Sequence, residues 1–297
     1  MINRYLSYLD RILDFISKWT CSPYLTGYFK DICSYFFHKP EALQHLKKMN
    51  FRIDLDAKLL KKQGYVNTYS EDLYKEFLPY IKKIEDHKFE SLGRSKPYFY
   101  NFLNDKLGSE YYQKFLNIGS NSLLRDDLES VFGKLCFIGG GIYRSPGNSV
   151  NDNFPKGSQL WHIDRYSLKT IKVFINLSEI TEEMGPTRVI ASNHSIKLLK
   201  NSFLRRVFRR NNLAKGVKGL YMDKKKFAYY AKEKNGSNIG VPGTTLIANT
   251  GLCIHQGSNN RSSKDRFILL FHYCAWDRFI ENQQPDLLLG INTRFLK

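Results

Sequence analysis

His162 and Asp164 stand two residues apart, His255 lies ninety-three residues beyond His162, and Arg266 follows that second histidine by eleven. Two neutral imidazoles and one carboxylate on one face of a metal leave three coordination positions open. This is the facial triad of non-heme Fe(II) chemistry, which can hold O2 and a co-substrate side by side. The His162–Asp164 spacing suits extended backbone, because residues i and i+2 of a strand point the same way, leaving Trp161 and Ile163 to the opposite side. A third ligand must come from another strand. Gly243-Thr244-Thr245-Leu246-Ile247-Ala248 reads as one strand, Asn249-Thr250-Gly251 as its turn, and Leu252-Cys253-Ile254-His255 as the next strand.

The run Arg266-Phe267-Ile268-Leu269-Leu270-Phe271-His272-Tyr273 has the composition of an apolar strand, with Arg266, Ile268, Leu270 and His272 on one face. A guanidinium turned inward needs an anion, and its planar fork suits bidentate contact with a carboxylate. In a pocket that also held iron, the candidate anion is the distal carboxylate of 2-oxoglutarate. Arg261 is the rival, in the polar turn Ser258-Asn259-Asn260-Arg261-Ser262-Ser263-Lys264, where a solvated arginine is the ordinary expectation. A His-x-Asp triplet alone is common, and a lone strand histidine is more often a hydrogen-bonded structural group than a ligand. The metal reading therefore rests on all four groups together. His194 reads as a loop residue or a support for the ligands, and His272 as a packed core residue.

Four segments resemble the phytanoyl-CoA dioxygenase-like branch of the Fe(II)/2-oxoglutarate-dependent oxygenases. Leu60-Lys61-Lys62-Gln63-Gly64-Tyr65-Val66 is similar to the opening of that domain, and His162-Ile163-Asp164 to its first metal motif. Glu183-Met184-Gly185-Pro186-Thr187-Arg188-Val189-Ile190 with Asn193-His194-Ser195 resembles its central stretch. His255 and Arg266 match its distal metal ligand and co-substrate arginine at the family's own separation. The resemblance covers roughly residues 57 to 275 with the motifs in order. Met184 stands where the family usually has Asn, and Ala191-Ser192-Asn193-His194 where it has Pro-Gly-Ser-His. Related halogenases lack the carboxylate, which Asp164 retains. The resemblance implies a metal set of His162, Asp164 and His255, which are also the catalytic residues, and co-substrate binding by Arg266. It further implies that Arg144, in Ile142-Tyr143-Arg144-Ser145-Pro146, takes the place of a family lysine that contacts 2-oxoglutarate.

Those residues need a scaffold, and the chain supplies one. At 297 residues, 42% hydrophobic and 14% aromatic, it can bury one large core. No apolar run approaches the roughly 20 residues needed to span a bilayer, and Met1-Ile2-Asn3-Arg4-Tyr5 lacks the apolar core of a secretory signal. Five dispersed cysteines (Cys21, Cys33, Cys136, Cys253 and Cys274) point to free thiols in a reducing compartment, so a cytoplasmic location is expected, with peripheral membrane contact open.

Residues 1 to 50 have helical periodicity (Leu6, Leu9, Ile12, Leu13, Ile16) and form an N-terminal extension outside the resemblance, ahead of a domain over 51 to 297. Helices are expected from about Ser70 to Phe89, kinked or split at Pro79, and near Ser122 to Phe132. Strands are expected at Gly133–Tyr143, Leu160–Asp164, Thr170–Leu177, Thr187–Ile190, Gly243–Ala248, Leu252–Gln256 and Arg266–Ala275. The expected fold is mainly β with flanking helices (α+β), its core a double-stranded β-helix, the cupin-like jelly roll.

The net charge of +18 is concentrated. Residues 197 to 234 hold thirteen Lys and Arg against Asp223 and Glu233, inside a basic insertion over about 197 to 240 whose first half, Ser195 to Arg210, reads as an amphipathic helix. Such a helix suits an anionic membrane surface, a nucleic acid or an acidic carrier or coenzyme; the alternative is that it covers the barrel and leaves a solvated basic face. The expectation is an Fe(II)-, 2-oxoglutarate- and O2-dependent dioxygenase that hydroxylates a C–H bond of a small, lipid-like or coenzyme- or carrier-linked substrate, with the basic insertion favouring an anionic one. The alternatives are a non-catalytic jelly-roll binding module, or a nucleic-acid-binding protein. The first would be expected to have lost one of the four groups, and the second lacks any recognisable nucleic-acid motif.

Overall fold

A computed structural model describes residues 48–85, 100–101, 108–148, 157–159, 161–164, 167–200 and 224–275. Residues 1–47 of the proposed N-terminal extension and the middle of the basic insertion lie outside these residues. Six α-helices are described: α1 (Ala57–Gln63), α2 (Glu71–Glu85), α3 (Gly108–Ser120), α4 (Leu123–Phe132), α5 (Ser192–Lys200) and α6 (Lys224–Glu233). Nine strands accompany them: β1 (Tyr65–Tyr69), β2 (Tyr100–Asn101), β3 (Cys136–Ser145), β4 (Thr170–Asn176), β5 (Thr187–Ile190), β6 (Asn235–Ser237), β7 (Thr244–Asn249), β8 (His255–Gly257) and β9 (Arg266–Cys274).

The strands form a six-stranded sheet in the order β1-β7-β4-β9-β3-β2 and a three-stranded sheet in the order β6-β5-β8, with antiparallel pairing between all neighbours. Two antiparallel sheets facing each other, with helices on the outside of the larger one, make an α+β jelly-roll core. Strand parity divides the large sheet cleanly. On its outer face Ile171, Val173, Ile175, Ile247, Phe267, Leu269, Phe271 and Tyr273 join Leu73, Phe77, Ile81 and Ile84 of α2 and Tyr111, Phe115 and Ile118 of α3 in one buried cluster. Phe115 stacks on Phe271 with centroids 5.0 Å apart. The inner face instead carries Lys172, Phe174 and Asn176 from β4 and Arg266, Ile268, Leu270 and His272 from β9.

Helix α2 runs unsplit through Pro79. Pro79 is exposed, so the carbonyl that loses its donor can turn to water, while Phe77, Tyr80, Ile81 and Ile84 anchor the buried face on both sides of it. Between β3 and β9 the backbones approach closely at Gly140 (φ +142°), where an added Cβ would sit 1.8 Å from the Leu270 carbonyl oxygen. Two expected strands differ. The segment around His162 makes only an isolated bridge to His255, and β8 begins at His255 rather than Leu252. The turn runs further than expected because the amides of both Leu252 and Cys253 donate to the Asn249 carbonyl.

Candidate metal centre

The bridge that replaces the expected strand is what joins two of the four groups. His162 and His255 exchange both backbone hydrogen bonds, each 2.8 Å, and their ring centroids lie 4.1 Å apart. Two residues on, the Asp164 amide donates to the Thr250 carbonyl at 3.0 Å, which ties the carboxylate's backbone to the turn before β8. Trp161 and Ile163, on the other side of this segment, pack with Ile190, Leu198 and Ile254. The carboxylate oxygens of Asp164 then lie 3.9 Å from His162 Nε2 and 3.5 Å from His255 Nε2. One ligand atom from each of the three residues falls within 4.8 Å of the others, a span that one ion can bridge.

The protonation states suit a metal. His255 Nδ1 lies 3.1 Å from the Cys253 carbonyl, which can only accept, so Nδ1 carries the hydrogen and Nε2 presents a lone pair. That Nε2 is buried with no hydrogen-bond partner. Burial, joined by His162, holds the His255 pKa well below its usual value, although Asp164 works against the shift. Burial would raise the pKa of Asp164, but Lys172, His255, His162 and His272 together hold it well below the ordinary carboxylate value. A neutral imidazole such as His255 and a carboxylate anion such as Asp164 are species that a divalent first-row ion takes as ligands.

Arg266 shares the inner face of β9 with His272, which stands opposite Lys172 of β4. Arg266 is 7% exposed, and its guanidinium donates to the Met184 carbonyl at 3.0 Å and to Ser145 Oγ at 2.9 Å. Among the described residues no carboxylate pairs with it, and its Nε has no partner. Burial lowers its pKa to about 10, so the group stays charged at neutral pH. A buried cation held in place by neutral acceptors is chemically able to take an anion. Gly185 permits the turn that presents the Met184 carbonyl, since at φ +69° an added Cβ would come within 2.3 Å of the Asn259 carbonyl oxygen.

The structure does not bring Arg144 to this group. Ser145 faces Arg266 across the β3–β9 ladder, so Arg144, one residue earlier, falls on the opposite face beside Phe267, where its guanidinium stands 5.7 Å from the ring and pairs with Asp265. Alternation of side chains fixes this outcome. Arg261 is exposed on the loop before β9. His194 lies in the first turn of α5 and stacks on Tyr230, centroids 4.2 Å apart, instead of in a loop. His272 is half-buried on the inner face, not in the apolar core.

Sequence reasoning passed over Lys172, whose ammonium lies 2.7 Å from Asp164 Oδ2 with a side chain only 15% exposed. The contact is an ion pair, and Oδ2 accepts no directed hydrogen bond among the described residues. The signal was there: Lys172 is the one charge in Ile171-Lys172-Val173-Phe174-Ile175, a strand apolar on both faces, and buried lysines are rare unless paired.

No protein-family model and no curated protein matches the chain. Solved structures do resemble it. EctD from S. alaskensis, in a structure with 2-oxoglutarate and 5-hydroxyectoine, superposes with a TM-score of 0.50 at 16% identity over 86% of this chain and 94% of that one. The non-heme alpha ketoglutarate dependent epimerase SnoN from nogalamycin biosynthesis gives 0.46 at 14% identity over 73% and 80%. HygX from Streptomyces hygroscopicus, with nickel and 2-oxoglutarate bound, gives 0.43 at 16% over 73% and 84%. At 16% identity the EctD likeness is one of fold, and it agrees with the α+β jelly-roll core formed by the two antiparallel sheets.

Proposed function

We propose that the protein is an Fe(II)- and 2-oxoglutarate-dependent dioxygenase of the phytanoyl-CoA dioxygenase-like kind, hydroxylating a C–H bond of a small, lipid-like or carrier- or coenzyme-linked substrate. The observation that carries the reading is the convergence of His162, Asp164 and His255, together with a buried arginine, Arg266, that lacks an acid partner among the described residues. His162 and His255 would hold the iron through neutral imidazole nitrogens and Asp164 through its carboxylate. When bound, Fe(II) with 2-oxoglutarate and O2 supplies an oxidant able to abstract hydrogen from carbon, with succinate and CO2 as co-products.

The chain's own part is binding, orientation and exclusion of water. Ser145 and the Met184 carbonyl aim the Arg266 fork, which would hold the distal carboxylate of 2-oxoglutarate. Phe174, Ile180, Met184 and Ile268 cluster on the same inner face and keep that end of the site dry, which strengthens the ionic contact. Support for an anionic substrate comes from the excess positive charge in residues 197 to 234. Leu198 of α5 and Tyr230 and Ala231 of α6, on either side of the undescribed middle of that stretch, pack against Ile163 between the two candidate ligands.

Succinate formation from 2-oxoglutarate under Fe(II) and O2 tests the reading. Removing the partner of a buried carboxylate costs about 2 to 4 kcal/mol, so Arg266→Ala is expected to need far more 2-oxoglutarate, while exposed Arg261→Ala stays near normal. A wild-type protein that forms no succinate, or the reverse ranking of the two arginines, would contradict it.

A further inference from the structure

Lys172 lies outside everything the triad requires, yet the large sheet is built to hold it there. It sits in β4 between two paired strands, opposite Ala248 of β7 and His272 of β9, so its backbone cannot shift without breaking two ladders. Its parity turns it inward, away from the apolar cluster that takes Ile171 and Val173. There its ammonium engages one oxygen of Asp164, Oδ2, at 2.7 Å, nearer than the 3.5 Å that separates Oδ2 from His255 Nε2, while Oδ1 faces His162 Nε2 at 3.9 Å with no cation on it among the described residues.

A carboxylate can bind a metal through one oxygen or through both. A triad that uses one leaves three positions on a six-coordinate ion, two for a chelating keto acid and one for O2, whereas bidentate binding removes one of these. We propose that Lys172 is a positioning residue that occupies Asp164 Oδ2, so that Asp164 ligates through Oδ1 alone and the third open position is preserved. The inference rests on the metal-site reading above, and it concerns coordination number rather than proton transfer. Groups that orient metal ligands from outside the coordination sphere commonly change affinity or activity by 10- to 100-fold when removed.

The test uses Lys172→Met, which keeps the length of the side chain without its charge, and Lys172→Arg, which keeps the charge. Each is loaded anaerobically with Co(II), and with Fe(II), and the ligand-field absorption is recorded before 2-oxoglutarate is added. Thermal midpoints of the metal-free proteins establish that the variants fold. The expected result is that Lys172→Met binds Co(II) at least as tightly as wild type, since a neighbouring cation is gone and a second oxygen is free. Its Co(II) spectrum should differ from wild type, and its affinity for 2-oxoglutarate should fall on the order of 10- to 100-fold. Lys172→Arg should restore both toward wild type.

An unchanged Co(II) spectrum with weakened 2-oxoglutarate binding would show that Lys172 only attracts the dianion, and overturns the clamp. A folded Lys172→Met that no longer binds metal, or one that matches wild type throughout, overturns it too. A wild-type protein that binds neither ion fails at the metal site itself, which separates the two readings.

Discussion

His255 gives its Nδ1 hydrogen to a backbone carbonyl and keeps Nε2 bare in a buried setting, so the fold selects the neutral imidazole. This has a pH consequence whose sign follows from linkage. The folded pKa lies well below the ordinary 6.5, so below about pH 6.5 the unfolded chain takes up a proton that the folded chain refuses. Stability is then lost as pH falls through the window between the two values. Asp164, also depressed, contributes stability above its ordinary value of 3.8 that disappears only as pH drops through the lower folded value. The metal-free protein is expected to lose thermal stability from about pH 7 to about pH 5 through His255, with a flatter profile in His255→Gln. Equal slopes in the two proteins would remove His255 as the source. The residues brought together here were legible because period-two alternation needs only local sequence. Arg144 was not, since its face depends on which β9 residue lies opposite, and Lys172 was not, since its partner is fixed by a sheet register that no short motif records.

At the scale of elements, the inner face of the large sheet can carry charge because its outer face carries the core. The ring stack of Phe115 on Phe271, with Phe77 set edge-on to Phe271 at 6.3 Å, binds α2 and α3 to β9 and so fixes the strand that presents Arg266. Phe271→Ala removes a fully buried ring at the centre of this cluster and is expected to cost about 3 to 5 kcal/mol. Denaturant unfolding checks this, and a loss below about 1 kcal/mol would mean that the stack does not hold the strand. Most elements were readable from periodicity, and Thr187–Ile190 appears with the bounds expected. The misses have physical causes. The His162 segment is held by one bridge and one Asp164–Thr250 hydrogen bond instead of a ladder, and the turn before β8 was extended by a carbonyl, Asn249, that accepts twice.

For the whole molecule, charge and site meet at α5 and α6, which border the most basic part of the sequence and pack beneath the segment bearing His162. If that part docks on an anionic lipid surface, each basic side chain near it contributes about 1 kcal/mol, so reversing Arg205, Arg206, Arg209 and Arg210 to glutamate should abolish co-sedimentation with anionic vesicles at low salt. These four lie outside the described residues, and the expectation rests on sequence charge alone. Wild-type indifference to anionic vesicles would end the docking idea while leaving the metal centre untouched. No described helix is long and apolar enough to cross a membrane. The central claim is that three side chains from two distant segments form one metal site, and anaerobic Fe(II) binding measures it most directly. Wild-type protein is expected to bind a single Fe(II) per chain, and His162→Ala, Asp164→Ala and His255→Ala to remain folded while binding it far more weakly. Wild-type Fe(II) affinity in the His255→Ala protein would contradict the account.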